Sequence, residues 1–148
     1  MFKKTLFVLA ASMIIANHDP QIEVTVVETG LNEDEIDILA QLTMAEAEGE
    51  SELGKRLVID TVLNRIESDD FPDDLRGVIE EKGQFSCMTN GRFKKCRPTW
   101  ETRELVREEI LERTNTDVLY FRSGHYGSGS PLFKEDHHYF SGKESKNE

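Results

Sequence analysis

Two stretches of helical periodicity, parted by a single glycine, constrain this chain more tightly than any other feature. In the first, Asn32 is followed three residues later by Glu35, the layout in which a side-chain acceptor and a reciprocal acid close a helix start. Ile36, Leu39, Ala40, Thr43 and Ala47 then recur at steps of three and four, which predicts a helix with one buried face ending at Gly49. Ser51 opens the second stretch, where Leu53, Leu57, Val58, Thr61, Val62 and Ile66 keep the same spacing to about Glu67. Residues 71–79 read as a turn into a short helix. Residues 80–98 hold Gly, Asn, Pro and both cysteines and are expected as a long irregular loop with room for a hairpin. A third sizeable helix is expected from Trp100 to about Arg113, with Leu105, Val106, Ile110 and Leu111 toward the core. Asp117 to Arg122 has strand character, a Gly/Ser-rich turn follows, and His138-Tyr139-Phe140 is a short apolar piece. The whole predicts a helix-rich α+β domain over residues 32–142, with a frayed polar tail at 143–148.

The amino terminus belongs to another class. Met1-Phe2-Lys3-Lys4 is a short positive start, Thr5 to Ala16 is uncharged and mostly apolar, and polar Asn17-His18-Asp19-Pro20 follows small Ala16. That order is the layout of a signal peptide over residues 1–16, although Ile14 occupies a place where a small residue is usual. The apolar run falls short of the roughly 20 residues a spanning helix needs, so no stable membrane span is expected after processing. Residues 17–31 read as a flexible lead-in, with Ile22 to Val27 as a short strand candidate. The expected location is secreted, in the cell wall or periplasm. There Cys87 and Cys96 have the chance to close a local loop, and free thiols are the alternative. Lys plus Arg is 18 against 29 Asp plus Glu, giving −11. Such a balance excludes an ordinary nucleic-acid binder and gives no bulk attraction to an anionic wall. A monomer is expected.

The chemistry-bearing spot is Met44-Ala45-Glu46-Ala47-Glu48-Gly49-Glu50, at the end of the first helix. Helical rotation puts Glu46 near Leu39 at the margin of the apolar face and points Glu48 elsewhere. A carboxyl group half-buried at such a margin keeps its proton more readily, because desolvation disfavours the charged form, and a general acid needs that property. By pattern alone the same residues also suit a solvated acidic helix end.

At this point the residues resemble the SleB/CwlJ family of spore-cortex-lytic and cell-wall hydrolases. Ala45-Glu46-Ala47-Glu48-Gly49-Glu50 is similar to that family's A-E-A-x-G-E signature, and Val62-Leu63-Asn64-Arg65 to its V-L-N-R. Phe71-Pro72, then Val78-Ile79, then Gly83-Gln84-Phe85-Ser86 match its F-P, V-I and G-Q-F-S segments in order. Leu119-Tyr120-Phe121 and His138-Tyr139-Phe140 resemble two later segments, so the likeness covers about residues 38–141.

The resemblance implies a small lysozyme-like, lytic-transglycosylase-like domain, a helical lobe and a loop-and-strand lobe flanking a groove. It implies cleavage between N-acetylmuramic acid and N-acetylglucosamine of peptidoglycan, with Glu46 as catalytic acid and a 1,6-anhydro end as product. It also points to Glu50, Gln84, Phe85, Ser86, Tyr120 and His138 as candidate substrate contacts. Glu50 has a second expected role, capping the Ser51 helix, and Phe85 a second one in the core. Asn64 and Arg65 are expected to lock the second helix to its neighbours. No cofactor or metal is expected. There are departures: Glu48 stands where the family often has Arg, and Asp136-His137-His138 replaces an Asn-His pair. Alternatives are a glycoside hydrolase of muramidase type, a zinc amidase using His125, His137 and His138, and a non-catalytic wall-binding protein. Adjacent histidines and the lack of HExxH weigh against zinc.

Overall fold

Asn32 opens the first helix by an exchange of hydrogen bonds with Glu35. Its side chain accepts from the Glu35 amide at 3.0 Å, and the Glu35 carboxylate accepts from the Asn32 amide at 2.9 Å. The computed structural model describes residues 30–145. Outside them lie the proposed signal segment, the strand candidate at Ile22 to Val27, most of the lead-in and the last three residues. Helix α1 runs Glu33–Ala47 and α2 runs Glu52–Glu67, the latter capped by the Ser51 hydroxyl on the Gly54 amide at 3.0 Å. Asp74 caps α3, Leu75–Glu80. The expected irregular loop is instead two single-turn helices, α4 at Ser86–Thr89 and α5 at Arg92–Lys95. Helix α6 covers Trp100–Leu111, capped by Thr99.

Helix α2 is the centre of the molecule. Every residue from Leu57 to Arg65 is buried, on all sides of the helix rather than on one face, whereas Leu53, expected inside, is 43% exposed. Its polar members are held by partners far along the chain. The Asn64 side-chain amide donates to the carbonyls of Asn115 and Val118, both at 2.9 Å, and Arg65 Nε donates to the Leu119 carbonyl at 2.7 Å. Asp60 accepts from the Asn115 amide at 2.7 Å and shares a hydrogen bond with Glu109 of α6. Glu109 in turn accepts from Arg56 at 2.8 Å and from the Thr114 amide at 2.6 Å. These bonds satisfy groups whose burial unpaired would each cost about 1–3 kcal/mol.

The main core lies between α1, α2, α3 and α6, where Leu39, Leu42, Ile59, Val62, Leu75, Val78 and Val106 are fully buried. Leu111, expected to face it, is 63% exposed at the end of α6.

Three antiparallel strands follow: β1 at Tyr120–Ser123, β2 at Ser130–Glu135 and β3 at His138–Gly142, in the order β1-β3-β2. Phe140 on the central strand lies opposite Phe121 on one side and Phe133 on the other. With Leu57 and Val118 it makes a second core that joins the sheet to α2. Both cysteines are free thiols. Among the described residues no helix is long and apolar enough to cross a membrane.

Candidate active site

Glu46 stands half-buried in the last turn of α1, and one of its carboxylate oxygens accepts from the Cys87 amide at 3.1 Å. That amide belongs to the first turn of α4, where helix N–H groups lack partners of their own. The Cys87 thiol lies against the same carboxyl group. Burial first, then the hydrogen bond and charge of Glu46, push it above the usual thiol range. It therefore keeps its proton beside Glu46.

Glu50 leaves the turn between α1 and α2 with its side chain only 9% exposed. One oxygen accepts from the His137 amide and the other faces His137 Nδ1, each at 3.0 Å. Beside it the Ser51 amide donates to Asp136 at 2.7 Å and the Ser51 hydroxyl to Glu135 at 3.1 Å. The hairpin turn 135–137, with Asp136 at φ 47°, is thus clasped to residues 50–51. Gly54 makes room for it: a Cβ there would meet the Glu50 Cβ at 2.9 Å and the Asp136 carboxylate at 3.3 Å. Glu50 does not cap α2 as expected, because Ser51 does so itself and Glu50 turns to the hairpin.

His138 follows the clasp on β3, 4% exposed, its ring 5.0 Å from Phe121 and 6.1 Å from Phe140. Its Nδ1 is buried without a hydrogen-bond partner. Burial holds the imidazole below its ordinary value, opposed by the nearby Glu50 and Glu46 carboxylates. Glu46 thus bonds to Cys87, Glu50 bonds to His137, and the charges of both acids act on His138.

The other expected site residues fall into two sets. Gln84 and Ser86 are exposed beside the Glu46–Cys87 contact. Phe85 is 2% exposed and points inward, its ring 6.1 Å from Phe121, so it offers no face to a ligand and takes the core role instead. Tyr120 is half-buried, 5.8 Å from Phe71. Arg65 binds these rings together: its guanidinium lies 5.0 Å from Phe71, 5.2 Å from Phe85 and 5.4 Å from Tyr120. Such placement is favourable by the ring quadrupoles, and burial lowers the arginine to about 10. Phe121, between Phe85 and His138, connects this aromatic set to the carboxylate group.

Sequence reasoning missed Cys87 and His137 as partners of the two acids. Cys87 directly follows the Gly83–Ser86 motif, a usable signal, whereas nothing local in the sequence ties His137 to Glu50. Glu48, the departure from the family pattern, pairs with Arg92 at 2.9 Å. His125 lies exposed in the connection between β1 and β2. Among the described residues no group of three or more His, Cys, Asp or Glu is arranged to hold a metal ion. A surface depression on the α2–α6 face, around Arg56, Glu109 and Arg113, includes none of the residues gathered about Glu46.

A cell wall hydrolase family profile matches residues 49–140, beginning just after Glu46. The spore cortex-lytic enzyme of Halalkalibacterium halodurans is 36% identical over 69 residues, 47% of this chain and 21% of that protein. That of Bacillus subtilis is 31% identical over 97 residues, 62% of this chain and 30% of that protein. The chain thus spans only 21–30% of the length of these relatives. Among solved structures, the catalytic domain of the Bacillus cereus SleB protein matches with a TM-score of 0.67 at 24% identity, over 76% of this chain and 92% of that one. The catalytic domain of the germination-specific lytic transglycosylase SleB from Bacillus anthracis matches with a TM-score of 0.66 at 25% identity, over 78% and 99%. The fold is the one these domains share, mixed helices with a small antiparallel sheet.

Proposed function

Because this chain belongs to the cell wall hydrolase family, we propose that it degrades peptidoglycan as a lytic transglycosylase, with Glu46 as its single acid and base. The observation that carries the choice of one carboxyl group is the state of the other. The charge of Glu50, like that of Glu46, acts on His138, yet both Glu50 oxygens are engaged by His137 and its side chain is nearly closed off. It is not free to activate a water, as the second carboxylate of an ordinary glycosidase must. Glu46 is half-buried, with the Cys87 amide to orient it.

In the reaction Glu46 gives its proton to the glycosidic oxygen as the bond from muramoyl C1 to that oxygen breaks. The carboxylate left behind stabilises positive charge on the sugar and then takes the proton of the muramoyl O6 hydroxyl. O6 closes on C1, giving a 1,6-anhydro end without consuming water. Gln84 and Ser86 supply hydrogen-bonding groups for N-acetyl or hydroxyl substituents, and half-buried Tyr120 supplies a ring edge. His138 and Glu50 support the floor beneath. The same reading has the chain acting as a monomer outside the cytoplasm, after removal of residues 1–16.

The test is mass spectrometry of muropeptides released from purified peptidoglycan by the wild type and by Glu46→Gln. Anhydromuramoyl ends are expected from the wild type, with release lowered on the order of 10²–10⁴-fold in the variant. Hydrated reducing ends would make the chain a glycoside hydrolase, and free peptides would overturn glycan cleavage altogether. Binding without release by the wild type would leave a wall-binding protein.

A further inference from the structure

From Lys82 to Trp100 the chain carries five cations, Lys82, Arg92, Lys94, Lys95 and Arg97, and no carboxylate, although the whole sequence has 29 acids and a net charge of −11. This is also the segment that walls the site, since it contains Gln84, Ser86 and the Cys87 amide on Glu46. It is pinned to α1, the helix that bears Glu46. Gln41 donates to the Phe93 carbonyl at 2.7 Å, and Arg92 Nε donates to the Ala45 carbonyl at 2.6 Å. Arg92 is further occupied by Glu48.

The next three cations are not occupied. Lys94, Lys95 and Arg97 are all exposed. Arg56, Arg103, Arg107 and Arg113 each have a carboxylate within ion-pair distance, whereas among the described residues these three have none. Lys55, Lys82, Arg122 and Lys134 also have none, but they stand singly along the chain, while these three fall within four residues. Arg97 folds back to donate to the carbonyls of Lys94 and Cys96, both at 3.0 Å, which holds the cations in one turn. On so acidic a protein, a cluster of unpaired positive charge against the catalytic helix is a local reversal of the field. It attracts anions to that spot against the net negative charge of the whole.

We propose that Lys94, Lys95 and Arg97 form a subsite for the carboxylates of the peptide stems borne by the glycan strand that lies at Glu46. The inference rests on the peptidoglycan reading and names which part of the polymer is recognised. N-acetylated sugar rings are neutral and call for no cations. The stems, attached to the lactyl group of muramic acid, carry free carboxylates. A strand seated at Glu46 presents such stems alongside α1, and α5 is held to α1 at Gln41 and Ala45, the latter adjoining Glu46. The subsite thus selects stem-bearing glycan over bare glycan, and its contribution is weakened by salt.

The test is co-sedimentation in the cold with purified sacculi freed of phosphate polymers, and with the same sacculi after an amidase has removed the stems. Wild type is expected to bind intact sacculi about fivefold more tightly than stripped ones, on the scale of two exposed ion pairs. The difference should vanish in about 0.5 M salt, where the screening length is only a few ångströms. Lys94→Gln/Lys95→Gln should bind both substrates as the wild type binds stripped sacculi, and Lys94→Arg/Lys95→Arg should behave as wild type. Equal melting temperatures show that the exposed changes leave the fold intact. Undiminished binding of the glutamine variant to intact sacculi would overturn the subsite. So would an equal loss on both substrates, absence of binding to either, or binding only when phosphate polymers are retained. Stem-dependent binding without anhydro products would sink the catalytic reading and leave this one standing.

Discussion

Asp60 is an acid with no solvent exposure in the middle of the central helix. Its carboxyl group meets that of Glu109, and the pair holds one proton between them. The proton stays on Asp60, which burial and the hydrogen bond to Glu109 push up to about 8. Glu109 is the anion because Arg56 and the Thr114 amide and hydroxyl all donate to it. Unfolded, Asp60 loses its proton near pH 4. Between those two values the folded state binds the extra proton, so this contribution to stability is complete below about pH 4 and is lost as pH rises through about 8. Asn at this position mimics the protonated acid, accepting from the Asn115 amide and donating to Glu109. Urea unfolding should therefore show the wild type losing stability from pH 5 to pH 9 and Asp60→Asn losing distinctly less. An identical loss in both would mean that Asp60 is not the group that titrates.

At the scale of the element, two asparagines at helix positions give contrasting expectations. Asn32→Ala removes a helix cap from an exposed start and should cost about 1 kcal/mol. Asn64→Ala removes a buried donor from two carbonyls that hold the lead-in to β1 and should cost about 2–3 kcal/mol. Chemical denaturation of both variants checks the order; an equal cost would mean that α2 is not fastened to the sheet through Asn64. The same contrast explains what was legible in the sequence. The caps of α1 and α2 act over three residues, so local pattern revealed them. The locking role expected of Asn64 and Arg65 has no visible partner in the local pattern, and Asp60 gives no sign of burial there, because the partners of all three lie more than 50 residues further on. Strand β2 escaped notice because Ser130–Glu135 is a half-exposed edge strand containing Pro131. Helices α4 and α5, four residues each, are too short for any periodicity to register. Within the candidate site, the motif resemblance singles out Glu46, but the neighbours that bond to the acids, Cys87 and His137, come from separate parts of the chain.

The whole molecule is an acidic body with three neighbouring unpaired cations at α5 and just beyond it, and the proposed export fits the proposed action on a polymer outside the cell. Amino-terminal sequencing of the protein recovered outside producing cells should begin at Asn17, while retention of Met1 would count against a cleaved signal. The clasp between residues 50–51 and 135–137 has a bearing on timing. Its bonds join positions 84–87 residues apart, and a chain made or threaded amino-terminus first carries Glu46 long before it carries His137. Each half of the cradle waits for the other. The proposed acid is thus present early, but its setting is assembled only when the last hairpin arrives, so a fragment stopped short of residue 135 bears the acid without the tool.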